Sequence, residues 1–136
     1  MRFNTLHGGA KRVRKVRNYR IDWDKSSRSK RQFAVKQFLK KHWKSHILFE
    51  EMPVAGTKMT LDFYNATKKI AIEVQGVQHT RYVPHFHKNQ KMNFLSQKRR
   101  DKEKAKFCEL NDIKLMEIHE SDVIGERLFK KFNITL

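Results

Sequence analysis

A single cysteine, Cys108, leaves no partner for an internal disulfide and excludes any cysteine-based zinc cluster. Its place among the apolar residues of a predicted helix marks it as a small buried hydrophobe. Long apolar runs are missing too. None approaches the ~20 residues of a membrane-spanning helix, and no signal-peptide pattern opens the chain, so a soluble cytoplasmic protein without a membrane partner is expected. Acidic residues are the third shortage: 14 Asp and Glu stand against 31 Lys and Arg, a formal charge of +17 on 136 residues. Such an imbalance points to nucleic acid as the partner. The length suits one domain with a modest core, and no internal repeat is present.

What the chain does contain centres on Lys58 to His79, KMTLDFYNATKKIAIEVQGVQH. Two alternating runs, Met59 to Tyr64 and Lys69 to Gln75, flank Asn65-Ala66-Thr67-Lys68, which has the polar chemistry of a four-residue hairpin loop. With Tyr64 opposite Lys69, the residues Leu61, Phe63, Ile70, Ile72 and Val74 form one apolar face. Thr60, Asp62, Tyr64, Lys69, Ala71, Glu73 and Gln75 share the other face. Asp62 and Glu73 become diagonal neighbours roughly 7 Å apart at the backbone. Two carboxylates so placed can hold one hard cation between them, since Mg²⁺ takes oxygen ligands at about 2.0–2.1 Å. Acids on the wet side of a half-exposed hairpin are the plainer alternative.

The flanking segments read as follows. Residues 1–28 are basic with little apolar periodicity, and Gly8-Gly9 loosens them, so a partly disordered arm is expected. Lys11, Arg12, Arg14, Lys15 and Arg17 are its candidate phosphate contacts, with a solvated tail as the alternative. Ile21-Asp22-Trp23 is expected to dock on the core as a short anchored piece. A helix is predicted from Ser29 to near Trp43, with Phe33, Val35, Phe38, Leu39 and Trp43 as its apolar positions and Lys36, Lys40, Lys41 and Lys44 on its polar side. Ser29-x-x-Gln32 reads as a capping box. Ile47 to Glu51 is a first strand, ended by Pro53 and Gly56. Beyond the hairpin, Gly76 permits a sharp exit that sets Gln78 and His79 beside the acids, and Arg81 is a further candidate DNA contact. His79 has a side chain suited to holding or deprotonating water. A zinc cluster of His79, His85 and His87 matches no standard spacing.

A long helix follows from about Asn89 to Leu110. Gln97, Asp101, Lys104 and Cys108 lie along one stripe of it, while Lys98, Arg99 and Lys102 offer a phosphate rail. An Asp101–Lys104 surface ion pair is the simpler reading of that stripe. Ile113 to Ile118 is a last core strand. Ser121 is expected to cap a final helix through about Lys131, with Val123, Ile124, Leu128 and Phe129 packed inward. The predicted class is α/β, in the order helix, three strands, helix, strand, helix.

Asp62, then about ten residues, then Glu73-Val74-Gln75 at the end of an apolar strand, resembles the core motif of the PD-(D/E)XK nuclease superfamily. Ile72 to His79, Gln97 to Lys104 and Ile113 to Ile118, in that order, are similar to its branch of small phage and bacterial endonucleases related to very-short-patch repair and homing endonucleases. The resemblance covers roughly Ser29 to Glu120. It implies a restriction-endonuclease-like core over residues 29–136, in a bacterial or phage-infected host cell. It also implies a Mg²⁺ (or Mn²⁺) site made by Asp62, Glu73 and the carbonyl of Val74, with Gln75, Gln78, His79, Gln97 and Asp101 completing the catalytic set. Two departures stand out: Gln32 where the branch has a helix-start glutamate, and Gln75 where the superfamily usually has lysine. The implied activity is DNA endonuclease, of homing type. A Holliday-junction resolvase, for which a homodimer would bring two sites together, a mismatch nickase, and a catalytically decayed DNA-binding protein stay open.

Overall fold

The computed structural model describes residues 1–76 and 88–136. Its elements are β1 (Arg2–Asn4), β2 (Ala10–Arg12), a 3-10 turn (Val16–Tyr19), α1 (Lys30–Trp43), β3 (Leu48–Pro53), β4 (Thr60–Asn65), β5 (Ile70–Val74), α2 (Lys88–Leu110), β6 (Lys114–Ile118) and α3 (Glu126–Lys131). From α1 onward this is the predicted order of an α/β chain. The main sheet runs β3-β4-β5-β6, antiparallel except for the parallel β5–β6 pair, whose connection contains α2.

Helices cover both faces of the sheet, which is why its strands are apolar on both sides. Val35, Leu39 and Trp43 of α1 and Leu128 and Phe129 of α3 pack on Leu48, Phe63, Ile70, Ile72, Met116 and Ile118. On the opposite face, Phe107 and Cys108 of α2 meet Phe49, Met52, Leu61, Tyr64 and Ala71. Burial, with the charge of Glu73 adding to it, raises the Cys108 thiol to about 12 and keeps it inert. Asp112, in left-handed conformation (φ 54°), ends the turn after α2, and the Ile113 amide donates back to the Cys108 carbonyl at 2.8 Å.

Residues 1–28 correct the expectation of a disordered arm. β1 and β2 form a hairpin turned at Gly8 and Gly9 (φ 90° and 73°), and its Phe3 is buried against Phe107 and Tyr64 at 5.4 and 6.0 Å between ring centroids. Val13 is buried in the same cluster. The apolar content is small, but Phe3 and Val13 enter the core and Leu6, Val16 and Tyr19 pack against it. Further on, the Ile21 amide donates to Leu48, and Ile21 and Trp23 pack on the α1 side as anticipated.

The central hairpin is shifted by two residues from the expected register: Asn65 pairs with Ile70 and Tyr64 with Ala71, so the loop is Ala66 to Lys69. A further difference lies at Leu61, which packs with Tyr64 and Ala71 and away from Phe63. The alternation breaks at Asp62, opposite Glu51, whose backbone is left-handed (φ 53°). At the C-terminal end, Gly125 and not Ser121 precedes α3, because residues 119–122 form a turn in which Asp122 accepts the His119 amide at 2.8 Å. Val123 is consequently exposed.

Candidate active site

The shifted register, continued one residue past the last ladder pair Phe63–Ile72, brings Asp62 opposite Glu73, and both side chains are buried, at 4% and 5% exposure. Each acid caps the backbone of the neighbouring strand. Asp62 Oδ2 accepts the Val74 amide at 2.8 Å, and Glu73 Oε2 accepts the Asp62 amide at 2.7 Å. Those reciprocal bonds fix one oxygen of each carboxylate and replace the ladder where the strands begin to part. The remaining oxygens meet cations: Arg28 Nη2 lies 2.9 Å from Asp62 Oδ1, and Lys104 Nζ on α2 lies 2.5 Å from Glu73 Oε1.

A second polar layer comes from α1 and β3. Gln32 Nε2 donates to Glu50 Oε2 and Glu51 Oε1, both at 3.0 Å. The capping box is therefore half realised. Ser29 accepts the Gln32 amide at 3.1 Å, but the Gln32 side chain turns to the acids of β3, which compete successfully for its donor. Arg28 also approaches Glu51 Oε1 at 3.4 Å, and Thr60 donates to Glu51 Oε2 at 3.1 Å. Lys36, expected on the polar side of α1, is fully buried and pairs with Glu50 Oε1 at 2.6 Å.

A cleft of about 820 Å³ opens here, with Asp62, Glu73, Gln32 and Thr60 among its walls and Arg28, Arg31, Lys58, Arg100 and Lys104 as its cationic residues. Of the residues singled out in the sequence, Asp62, Glu73, Val74, Gln75 and Gln97 all reach this cleft. Asp101 stands one helical turn behind, where its Oδ1 accepts from Gln97 Nε2 at 3.2 Å; Arg100 Nη2 donates to the same glutamine at 2.6 Å. Gln78, His79, Arg81, His85 and His87 lie outside the described residues. Lys11, Arg12, Arg14, Lys15 and Arg17 are exposed around the N-terminal hairpin, and Arg12, Lys15 and Arg17 share a shallow recess there. Arg99 and Lys102 are exposed on α2, while the Lys98 ammonium lies 5.6 Å from the Phe94 ring centroid. Sequence reasoning missed Arg28, Arg31, Lys58 and Arg100 as cleft residues, since nothing local distinguishes them among 31 basic side chains.

Burial raises the Asp62 carboxyl above the usual range; Glu51 adds to the rise, while the Val74 amide, Lys104 and Arg28 oppose it. Glu73 is pushed up to about 7, by burial first and by the charge of Asp62 second, against Lys104. A group whose pKa is raised on folding stabilises the fold fully below its unfolded value and loses that contribution as pH rises through its folded value. For Glu73 the window runs from about 4.5 to about 7 and is worth on the order of 3 kcal/mol. In chelator, the melting temperature of the wild type relative to Glu73→Gln should therefore fall between pH 5 and pH 8. Taking the difference between the two proteins removes the titration of the seven histidines. A flat difference would mean that Glu73 is not buried as an acid.

Among the described residues no group of three or more His, Cys, Asp or Glu side chains has the arrangement of a metal site. Two fixed carboxylates whose outer oxygens already attract cations, with Val74 beside them at the cleft, nevertheless fit a hard divalent ion that keeps several of its waters. No described helix is long and apolar enough to cross a membrane.

Comparison with known proteins gives three viral relatives, all uncharacterized. Protein 307L of Invertebrate iridescent virus 6 is 38% identical over 60 residues, 44% of this chain and 30% of its own length. Protein 094L of Frog virus 3 (isolate Goorha) is 41% identical over 66 residues, 48% of this chain and 43% of its own. Protein 033L of Invertebrate iridescent virus 3 is 31% identical over 75 residues, 55% of this chain and 38% of its own. The chain thus matches less than half the length of each. No family model matches the sequence, and no solved structure matches it.

Proposed function

We propose that the chain is a divalent-metal-dependent DNA endonuclease with a restriction-endonuclease-like core of the PD-(D/E)XK type. The observation that carries this reading is the buried Asp62–Glu73 pair, locked by reciprocal backbone bonds on the wall of a basic cleft. Burying two acids side by side is unfavourable for folding alone, and such clefts are where perturbed carboxylates do chemistry. Asp62, Glu73 and the Val74 carbonyl are the residues that would hold Mg²⁺ or Mn²⁺. The ion supplies Lewis-acid activation of the phosphodiester and of water.

The protein's own groups account for the rest. Gln75 orients water by hydrogen bonding but brings no charge; Lys104, at 2.5 Å from Glu73, supplies the ammonium that this position lacks. Gln97, held by Asp101 and Arg100, presents a neutral polar group to the same cleft. Arg28, Lys58 and Arg100 provide positive charge for the phosphates flanking the cut. The basic N-terminal hairpin and the exposed face of α2 extend that charge along a nucleic acid, and with a formal charge of +17 the binding should be strongly salt-dependent.

The test is cleavage of supercoiled plasmid, linear duplex and four-way junction DNA in Mg²⁺, in Mn²⁺ and in EDTA. Nicking or linearisation that requires metal is the expected result, and the preferred substrate distinguishes homing-type cutting from junction resolution. DNA binding without cleavage of any substrate would replace this reading with that of a non-catalytic DNA-binding protein.

A further inference from the structure

The two cations at the acid pair are held differently. Lys104 is enclosed, with its side chain 12% exposed, whereas the side chain of Arg28 is 64% exposed and reaches Asp62 Oδ1 from the solvent side. Both of its carboxylate contacts use Nη2, at 2.9 Å to Asp62 and 3.4 Å to Glu51, so the two-pronged pairing of guanidinium with carboxylate is not formed.

The backbone that carries Arg28 is nevertheless pinned on both sides. Ser27 Oγ donates to Glu50 Oε2 at 2.6 Å, and Ser29 caps α1. Upstream, the Lys36 ammonium takes the Lys25 carbonyl at 2.7 Å and the Asp22 carbonyl at 3.1 Å. A fixed root with a solvent-facing head, singly bonded to a buried acid at a cleft, suits a side chain that exchanges one anion for another.

We propose that Arg28 is a displaceable counter-ion: it neutralises Asp62 until a divalent cation takes Oδ1, and its guanidinium then turns into the cleft to hold the phosphate to be cleaved. This rests on the nuclease reading given above. A divalent ion and a guanidinium compete for the same carboxylate oxygen, because their positive charges repel strongly at the spacing that sharing it would impose. The released fork finds in a phosphate the two-pronged partner that Asp62 does not provide. Arg28 thus couples cation loading to substrate capture and prevents the acid pair from standing uncompensated in the meantime.

The experiment measures Mn²⁺ binding by the full chain, from the electron-paramagnetic-resonance signal of free Mn²⁺, in wild type, Arg28→Met, Arg28→Lys and Asp62→Ala. It also measures plasmid cleavage at saturating Mn²⁺. Arg28→Met should bind Mn²⁺ about fivefold more tightly than wild type, the scale expected on removing an exposed ion-pair competitor. The same variant should cleave about a hundredfold more slowly. Arg28→Lys should retain metal affinity close to wild type and cleave poorly, because an ammonium lacks the fork. Opposite movement of the two readouts is something a merely structural role does not produce. Unchanged or weakened Mn²⁺ affinity in Arg28→Met, with binding abolished in Asp62→Ala, would overturn the role of Arg28 and leave the metal site standing. Wild type and Arg28→Met both binding no better than Asp62→Ala would instead remove the metal site, and this proposal with it.

Discussion

Asp62→Ala and Glu73→Ala should each lower metal-dependent cleavage at least a thousandfold, to the background of a plasmid-nicking assay, while the protein stays folded. A thousandfold corresponds to about 4 kcal/mol of transition-state stabilisation, and loss of a ligand from a site with only two carboxylates should exceed the effect of one hydrogen-bond donor. The folded state should survive because the two acids are poorly solvated where they stand. Glu73 is pushed up to about 7, chiefly by burial, so its removal relieves an electrostatic penalty above that pH. It also strips acceptors from the Asp62 amide and from Lys104, and these opposing changes should leave a modest net shift in melting temperature. DNA affinity measured in EDTA should be unchanged or tighter in both variants, since each removes a negative charge from a basic cleft. Retained affinity with lost cleavage separates chemistry from binding. If either variant cleaved within tenfold of wild type, the reacting centre would lie elsewhere in the chain.

The acid pair was legible in the sequence because strand alternation has period two. The loop slid from Asn65–Lys68 to Ala66–Lys69, since Asn65 extends β4 while its own Oδ1 accepts the Lys68 amide at 3.0 Å, and Lys69 takes the left-handed conformation (φ 57°). That slip changes the register by two residues and so keeps Phe63, Ile70 and Ile72 on one face, Leu61 departing only where the alternation breaks at Asp62; a slip of one would have separated the acids. It also turns a diagonal neighbour into a direct one. What the pattern could not show is long-range choice. Phe3 finds Phe107 near the other end of the chain, and no local composition reveals that a basic segment owns such a partner. Gln32 similarly had a local role available at its own helix start, and two acids of β3 outcompeted it. The predicted solvent face of α1 failed at Lys36 for the same reason: its partners, Asp22, Lys25 and Glu50, lie outside the helix whose period was being read.

Lys36→Met should destabilise the protein by about 3–5 kcal/mol, a large share of the 5–15 kcal/mol typical of a domain. The ammonium is fully buried and has three oxygen partners, Glu50 Oε1 at 2.6 Å and the carbonyls of Lys25 and Asp22 at 2.7 and 3.1 Å. Methionine fills much of the volume but satisfies none of them, leaving Glu50 without its cation and two carbonyls without donors. Urea denaturation followed by tryptophan fluorescence would measure the loss. The double variant Lys36→Met with Glu50→Gln should recover part of it, because removing the stranded charge removes the largest unfavourable contribution, and the non-additivity measures the coupling. Since the same ammonium pins the segment that carries Arg28, the single variant should also lower cleavage under conditions where it remains folded. Destabilisation below about 1 kcal/mol would show that the pair is no stronger than an exposed one. The segment from Asp22 to Ser29 would then owe its place to Ile21 and Trp23, and the anchor behind Arg28 would be apolar packing.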